Sequence, residues 1–161
     1  MKKNTYSFNY TVFDSAKDLP SEDAQLLNEA REVTKNAYAP YSKFNVGAIA
    51  KLVNGKTVSG TNQENASYPV GLCAERVLLS SVVSQYPNVQ IETIAISYNS
   101  DTSKSDHPVA PCGLCRQTLI EFEERTKSPV RLILAGMEGK VIVIDKASQL
   151  LPLAFTSGEL I

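Results

Sequence analysis

Apolar residues recur at helical spacing in three parts of the chain, and they predict three helices. The first helix is expected to follow Pro20 and run to about residue 37, with Ser21 as its N-cap and acidic residues in its first turn. The second is expected over about residues 73–85. The third is expected over about residues 112–125, after a proline placed where a helix start tolerates one.

Short apolar runs rich in β-branched residues separate these helices, and they predict strands. The runs lie at residues 46–53, 56–60, 91–97, 130–134 and 141–144. The dipeptide Asn54-Gly55 joins the first two runs, and this is the strongest short-range signal for a β-hairpin.

The order of these elements, α-β-β-α-β-α-β-β, favours an α/β protein with one mixed sheet between layers of helices. We therefore predict a three-layer α-β-α sandwich with a sheet of about five strands. Before residue 21, aromatic and apolar residues alternate with polar ones, which indicates either a short strand or an arm laid on a neighbour. The predicted organisation is an N-terminal arm over residues 1–20 and one main domain over residues 21–161.

Composition narrows the classes of protein that fit this chain. At 161 residues, with 43% hydrophobic and 20% charged residues, it has the size and make-up of one globular domain. The formal charge of −1 argues against nucleic acid as a partner, which normally requires a basic surface. Neither a membrane span nor a secretory signal is expected. An odd number of cysteines favours the reducing cytoplasm, and the default partner is a small molecule.

All three cysteines fall within two short motifs, Cys73-Ala74-Glu75 and the Pro-Cys-Gly-Leu-Cys segment at residues 111–115. A structural zinc site is closed by four protein ligands, whereas a catalytic site keeps three and leaves the fourth position to water. Cys73, Cys112 and Cys115 are candidate zinc ligands, and Glu75 is an acid that the metal does not need as a ligand. This pattern indicates hydrolysis by an activated water with Glu75 as the proton shuttle.

Spacing sets conditions on this site. Cys112 and Cys115 are neighbours on a helix, so their sulfurs can reach the roughly 3.8 Å separation of two thiolates on tetrahedral zinc. Glu75 can face the same metal only if Cys73 lies at the first turn of its helix. Two helix N-termini would offset the charge of three thiolates. Arg76, three residues from Cys73, is the predicted hydrogen-bond donor to the sulfurs.

Other interpretations of the same residues remain open at this point. A Cys-x-x-Cys pair also occurs in thiol oxidoreductases, which would form a reversible disulfide and bind no metal. His107 could close a structural site with the three cysteines, in which case the protein would be an interaction module without turnover. Neither alternative gives Glu75 a use.

Together these residues resemble the cytidine deaminases of the small, all-cysteine zinc class that form homotetramers. The resemblance covers roughly residues 21–160. It is carried by residues 39–48, 62–68, 111–117 and 150–155, in addition to the Cys-Ala-Glu motif. It implies one Zn²⁺ per subunit and hydrolytic deamination of cytidine and 2′-deoxycytidine to uridine and 2′-deoxyuridine, as in pyrimidine salvage. Related deaminases of another aminated nucleoside or of a blasticidin-type antibiotic share this chemistry.

The resemblance also assigns roles to residues outside the metal site. It implies base contacts for Phe44 and for the backbone N–H of Ala74, ribose contacts for Asn62 and Glu64, and contacts with neighbouring subunits' sites for Tyr68 and Phe155. The chain departs from the family pattern in its longer arm, in an extended loop at residues 101–106 and in Leu114, where a small residue is common.

Overall fold

The computed structural model of the chain describes residues 1–160. Its strands and longer helices, in chain order, are β1 (Thr11–Phe13), α1 (Ser21–Val33), β2 (Phe44–Leu52), β3 (Thr57–Thr61), α2 (Ala74–Gln85), β4 (Ile91–Ser100), α3 (Gly113–Thr126), β5 (Arg131–Ala135) and β6 (Val141–Ile144). Short 3₁₀ helices lie at Ala16–Asp18, Thr34–Asn36, Tyr68–Val70, Ala147–Leu150 and Ser157–Glu159. Within residues 1–160, every helix is too short or too polar to cross a membrane.

The sheet has the strand order β1-β6-β5-β4-β2-β3. Strands β4 and β5 run parallel and the other neighbouring pairs antiparallel, which confirms the predicted mixed sheet. The count is six rather than about five, because Thr11–Phe13 pairs antiparallel with Val141–Val143 at the edge of β6. The alternating pattern before residue 21 fits either a free arm or a strand. The edge of β6 offers unpaired backbone N–H and C=O groups, and residues 11–13 form a strand by pairing with them.

Helices cover both faces of this sheet, which confirms the three-layer sandwich. Helix α1 packs on one face, where Leu27 and Ala30 meet Ile49, Ile133 and other residues of the central strands. Helices α2 and α3 share the opposite face and form the larger core. The second and third helices are therefore side by side, and their first turns lie near the same end of the sheet.

Helix α1 begins at Ser21 itself, so the prediction of Ser21 as its N-cap was wrong by one residue. Pro20 occupies the N-cap position and no side chain caps the helix there. Its fixed backbone suits a helix entry, and the acidic first turn provides the favourable charge. Asp23 from that turn accepts two hydrogen bonds from Arg131 of β5, at 2.9 and 2.7 Å, which fastens the helix to the sheet.

A buried carboxylate fastens α3 to the end of the chain. Glu123 is 5% exposed, and its oxygens accept hydrogen bonds from the backbone N–H groups of Val130 at 2.8 Å, Ala147 at 3.0 Å and Ser148 at 3.3 Å. The N–H of Ala147 also donates to the carbonyl oxygen of Val130 at 2.9 Å, whereas Glu123 is the acceptor found for the N–H groups of Val130 and Ser148 within residues 1–160. A buried donor left without an acceptor is costly.

Glu123→Gln should therefore destabilise the protein. The amide keeps one acceptor oxygen but turns an N–H₂ group toward a backbone donor, so we expect a loss of about 1–3 kcal/mol in the free energy of unfolding. Urea denaturation measures this change. Glu121→Gln, on the exposed side of the same helix, is the matched control and should change stability little. Equal stability of the two variants would contradict this role of Glu123.

Candidate metal and active site

The three cysteines converge in space. Cys73 immediately precedes α2, Cys112 immediately precedes α3, and Cys115 lies in the first turn of α3. The sulfurs of Cys73 and Cys112 are 3.7 Å apart, those of Cys112 and Cys115 are 3.4 Å apart, and all three lie within 4.8 Å of one another. Thiolates bound to tetrahedral zinc at about 2.3 Å are separated by roughly 3.8 Å. The arrangement therefore fits a zinc ion with three sulfur ligands.

Two helix ends meet at this group. Cys73 and Cys112 are the N-cap residues of α2 and α3, and both have extended backbones without a side-chain cap. The backbone N–H groups of each first turn have no partner within their own helix and carry partial positive charge. Helix α2 comes close to the sheet at Gly60, where a side chain would place its Cβ 2.5 Å from the carbonyl oxygen of Ala74. The fold therefore brings positive helix ends to the sulfurs.

The thiols influence one another strongly. Hydrogen bonds from the other two thiols, foremost from Cys115, lower the pKa of Cys73 to about 6. The pKa of Cys115 is raised, because its thiol is hydrogen-bonded to Cys73 and buried. The proton of Cys73 is thus lost more easily and the proton of Cys115 less easily than from a free thiol. A cation is required for all three sulfurs to be thiolates at once.

Glu75 lies beside the cysteines without belonging to the group that could hold the metal. It occupies the first turn of α2 and is only 5% exposed. Burial raises the pKa of its carboxyl, and the nearby Cys115 thiol opposes this in part. A buried carboxyl group with a raised pKa, next to a candidate metal site, is suited to accept and return protons.

The site opens into a cavity of about 890 Å³. The predicted site residues that line it are Phe44, Asn62, Glu64, Tyr68, Cys73, Ala74, Glu75, Arg76 and Cys112. These residues come from β2, from the loop after β3 and from both helix starts. The cavity is therefore large enough for a nucleoside-sized ligand and is lined mainly by apolar groups with a few polar ones, as small-molecule sites usually are.

Asn62 and Glu64 are both already engaged by the fold. The Asn62 side chain accepts a hydrogen bond from the backbone N–H of Val46 at 2.7 Å and donates one to the carbonyl oxygen of Phe44 at 2.8 Å. Glu64 accepts hydrogen bonds from the backbone N–H groups of Tyr41 at 2.9 Å and Ser42 at 3.3 Å. Together with the Ser42 side chain, the largest influence, these bonds lower the pKa of Glu64. Each side chain keeps part of its hydrogen-bonding capacity for a ligand.

The predicted site residues Arg76, Phe155 and Tyr68 differ in their positions relative to the cysteines and the cavity. The charge of Arg76 lowers the pKa of Cys73, although within residues 1–160 its guanidinium makes no hydrogen bond to a sulfur. Phe155 does not line this cavity and is 59% exposed. Tyr68 lies at the cavity mouth and is 91% exposed. Both aromatic side chains are thus free to contact another molecule.

Sequence reasoning missed Tyr98, a buried residue near the end of β4 that lines the cavity. Its position two residues after Ile96 and four after Ile94 placed it on the same face of the strand, and this alternation was the available signal.

His107 lies outside the cysteine group and instead contacts Asp106 and Tyr98. This position removes the basis for a structural site with three cysteines and one histidine.

The fold and the site together define a zinc-binding α/β enzyme with a non-ligand acid at the metal. A family model described as the cytidine and deoxycytidylate deaminase zinc-binding region matches residues 20–129, about two thirds of the chain, including the three cysteines and Glu75. The chain belongs to this family, and the predicted family and zinc cofactor are confirmed.

Individual relatives agree with this assignment. The cytidine deaminase of Halalkalibacterium halodurans is 36% identical over 135 residues, which cover 84% of this chain and 95% of the relative. The crystal structure of cytidine deaminase from Burkholderia pseudomallei has a TM-score of 0.71 and 37% identity, and it covers 85% of this chain and 100% of the neighbour. The Blasticidin-S deaminase of Bacillus cereus is 28% identical over 141 residues, covering 86% of this chain and 96% of that protein.

Removing one sulfur should remove the metal. We expect purified wild-type protein to contain about one zinc per subunit and Cys115→Ser to contain far less, because three ligands hold the ion and a serine hydroxyl is a poor zinc ligand. Elemental analysis of the protein after dialysis measures zinc content. His107→Ala is the matched control and should retain zinc. Zinc loss by His107→Ala would show that the histidine is a ligand after all.

Proposed function

We propose that the protein catalyses the hydrolytic deamination of cytidine and 2′-deoxycytidine, producing uridine or 2′-deoxyuridine and ammonia. The observation that carries this proposal is the buried, non-ligand carboxyl of Glu75 beside three converging cysteines, at the end of a cavity of nucleoside size. A structural metal site or a dithiol redox site has no use for such an acid.

The chemistry follows from the groups at the site. Zinc held by Cys73, Cys112 and Cys115 would supply a water molecule of lowered pKa at the cavity end. The Glu75 carboxylate accepts a proton from the water that adds to C4 of the cytosine ring and delivers a proton to ring atom N3. Glu75 then takes the proton of the new C4 hydroxyl and passes it to the exocyclic amino group, so that the C4 carbonyl forms as the C4–N bond breaks and ammonia leaves. One buried acid performs each transfer, because it lies next to the reacting carbon and is shielded from bulk water.

Recognition of the nucleoside is assigned to residues lining the cavity. Phe44 provides an aromatic wall for the base, and the backbone N–H of Ala74, unpaired within α2, donates to the base carbonyl. Asn62 and Glu64 bind the ribose hydroxyls with the lone pairs and N–H that the fold leaves free. Arg76 acts on the metal site by lowering the pKa of Cys73 through its positive charge, rather than by touching substrate.

A second candidate substrate class is an aminated nucleoside antibiotic of the blasticidin type, because the Blasticidin-S deaminase of Bacillus cereus is among the relatives. The chemistry at Glu75 would be unchanged. A substrate panel distinguishes the two, since a plain nucleoside enzyme should turn over cytidine at much lower concentrations than the antibiotic.

We also infer a homotetramer in which Tyr68 and Phe155 reach the sites of neighbouring subunits. Their large exposed areas support this inference, because they leave both rings free to pack against a neighbouring subunit and aromatic side chains are enriched in protein interfaces. The catalytic unit is assigned to residues 21–161, which contain every site residue, and the arm to residues 1–20, of which Thr11–Phe13 adds strand β1 to the sheet. Three free cysteines that must remain reduced favour the cytoplasm.

Glu75→Gln should abolish most turnover while leaving the metal in place. An amide cannot accept and return a proton, so we expect kcat for cytidine to fall by at least about 10²–10⁴-fold. The loss of absorbance of the cytosine ring measures the rate, and elemental analysis should find unchanged zinc content. Near-normal turnover by this variant would overturn the mechanism, and no turnover by zinc-loaded wild type would overturn the proposed function.

If Phe155 contributes to the site of a neighbouring subunit, oligomers that mix two variants should recover normal affinity for cytidine. Phe155→Ala should raise KM by about 2- to 10-fold, the usual worth of one aromatic contact. Co-expression with inactive Glu75→Gln subunits supplies intact Phe155 without adding turnover, so the KM of doubly tagged mixed oligomers should return toward the wild-type value. An unchanged, raised KM would show that Phe155 acts within its own subunit.

A further inference from the structure

One ring face of Phe44 is occupied by another aromatic residue. Strands β2 and β4 pair antiparallel, with Phe44 opposite Ser100 and Val46 opposite Tyr98, so Phe44 and Tyr98 are diagonal neighbours on one face of the sheet. Their rings are stacked, with centroids 4.7 Å apart and planes inclined by 17°. The position of Phe44 therefore depends on Tyr98.

Tyr98 in turn is held by the single histidine of the chain. Tyr98 is 3% exposed, and its hydroxyl oxygen lies 3.3 Å from Nδ1 of His107. The His107 ring meets the edge of the tyrosine, with centroids 5.9 Å apart and planes inclined by 68°. Nδ1 is also 3.1 Å from Oδ1 of Asp106. A carboxylate only accepts hydrogen bonds, so Asp106 favours the tautomer whose Nδ1–H is shared with the tyrosine oxygen.

The loop that carries His107 is anchored on the sheet. The Ser105 hydroxyl accepts a hydrogen bond from the backbone N–H of Ser100 at 2.9 Å. The backbone carbonyl oxygen of Ser105 accepts one from the backbone N–H of Glu138 at 3.2 Å. Gly139, with φ of 79°, lies so close to the loop that a Cβ there would collide with the carbonyl oxygen of Asp106. This extended loop, which the family resemblance does not explain, is thus fixed on both sides.

We propose that His107 and Tyr98 are positioning residues that hold Phe44 as a fixed wall for the base. The inference rests on the proposed function and extends it by giving the loop at residues 101–107 a role in substrate affinity. The wall contacts the base equally before and during the reaction. Loosening it therefore weakens binding of the ground state and of the transition state alike, which raises KM and leaves kcat nearly unchanged.

Substitutions of His107 test the contact through Nδ1. His107→Ala should raise KM for cytidine by about 2- to 10-fold, the usual worth of one hydrogen bond, with kcat within roughly twofold of wild type. His107→Asn places a polar atom near the position of Nδ1 and should restore most of the affinity. His107→Gln carries its polar group one bond further and should not. An unchanged KM in His107→Ala, or a rescue by Gln equal to that by Asn, would overturn the inference.

A double-mutant cycle tests whether His107 acts through Phe44. In a Phe44→Leu background, His107→Ala should no longer raise KM, because the ring that it positions is gone. Effects that simply add would overturn the proposal. If wild type does not turn over cytidine, the proposed function fails separately. The free energies of unfolding of the same four proteins then report the coupling, and additive free energies would overturn the proposal on their own.

Displacing the loop should have the same kinetic signature. Gly139→Ala introduces backbone strain and a methyl group that meets Asp106, whereas Gly55→Ala introduces the same strain at φ of 79° with nothing within 4 Å of the new methyl group. Both variants should lose stability, but only Gly139→Ala should raise KM. Equal KM values for the two variants, measured at a temperature where both are folded, would show that the loop has no part in binding.

Discussion

The negative charge of three cysteine sulfurs has to be balanced at one point, and the arrangement of α2 and α3 satisfies this requirement. Cys73 and Cys112 are the residues immediately before these helices, so the positive ends of two helices face the sulfurs. Both helices pack on the same face of the sheet, which places their starts together. Glu75, in the first turn of α2, is consequently brought to the metal site without being one of its ligands.

Helix α3, which begins just after Cys112 and contains Cys115, also holds the C-terminal segment. Arg116 donates hydrogen bonds to the carbonyl oxygens of Pro111 at 2.8 Å and Leu150 at 2.9 Å, and Gln117 donates to that of Phe155 at 2.8 Å. The Arg116 guanidinium therefore joins Pro111, which precedes Cys112, to the C-terminal segment at Leu150. The backbone at Phe155 is fixed relative to the cysteines while its ring remains exposed.

The sequence was most informative where a signal is local. The Asn54-Gly55 hairpin and the cysteine motifs depend on a few adjacent residues, and the structure places both as predicted. Strand β1 could not be decided, because its pairing partner lies about 130 residues away at the edge of β6. The contact between Tyr98 and His107 was not predicted for the same reason: it depends on how a loop packs on the turn after β5, which motif spacing does not encode.

Asn62 and Glu64, the residues assigned to the ribose, already hydrogen-bond to the backbone of their own chain. Asn62 joins the backbone of β2 on both sides of Asn45, and Glu64 holds the turn that leads into that strand. Phe44, at the start of β2, is thereby fixed through its backbone from one side and through the stacked Tyr98 from the other. A pocket whose groups are immobilised before substrate arrives loses less conformational entropy on binding. Part of the hydrogen-bonding capacity of Asn62 and Glu64 thus fixes the pocket wall, and the remaining part is available to a ligand.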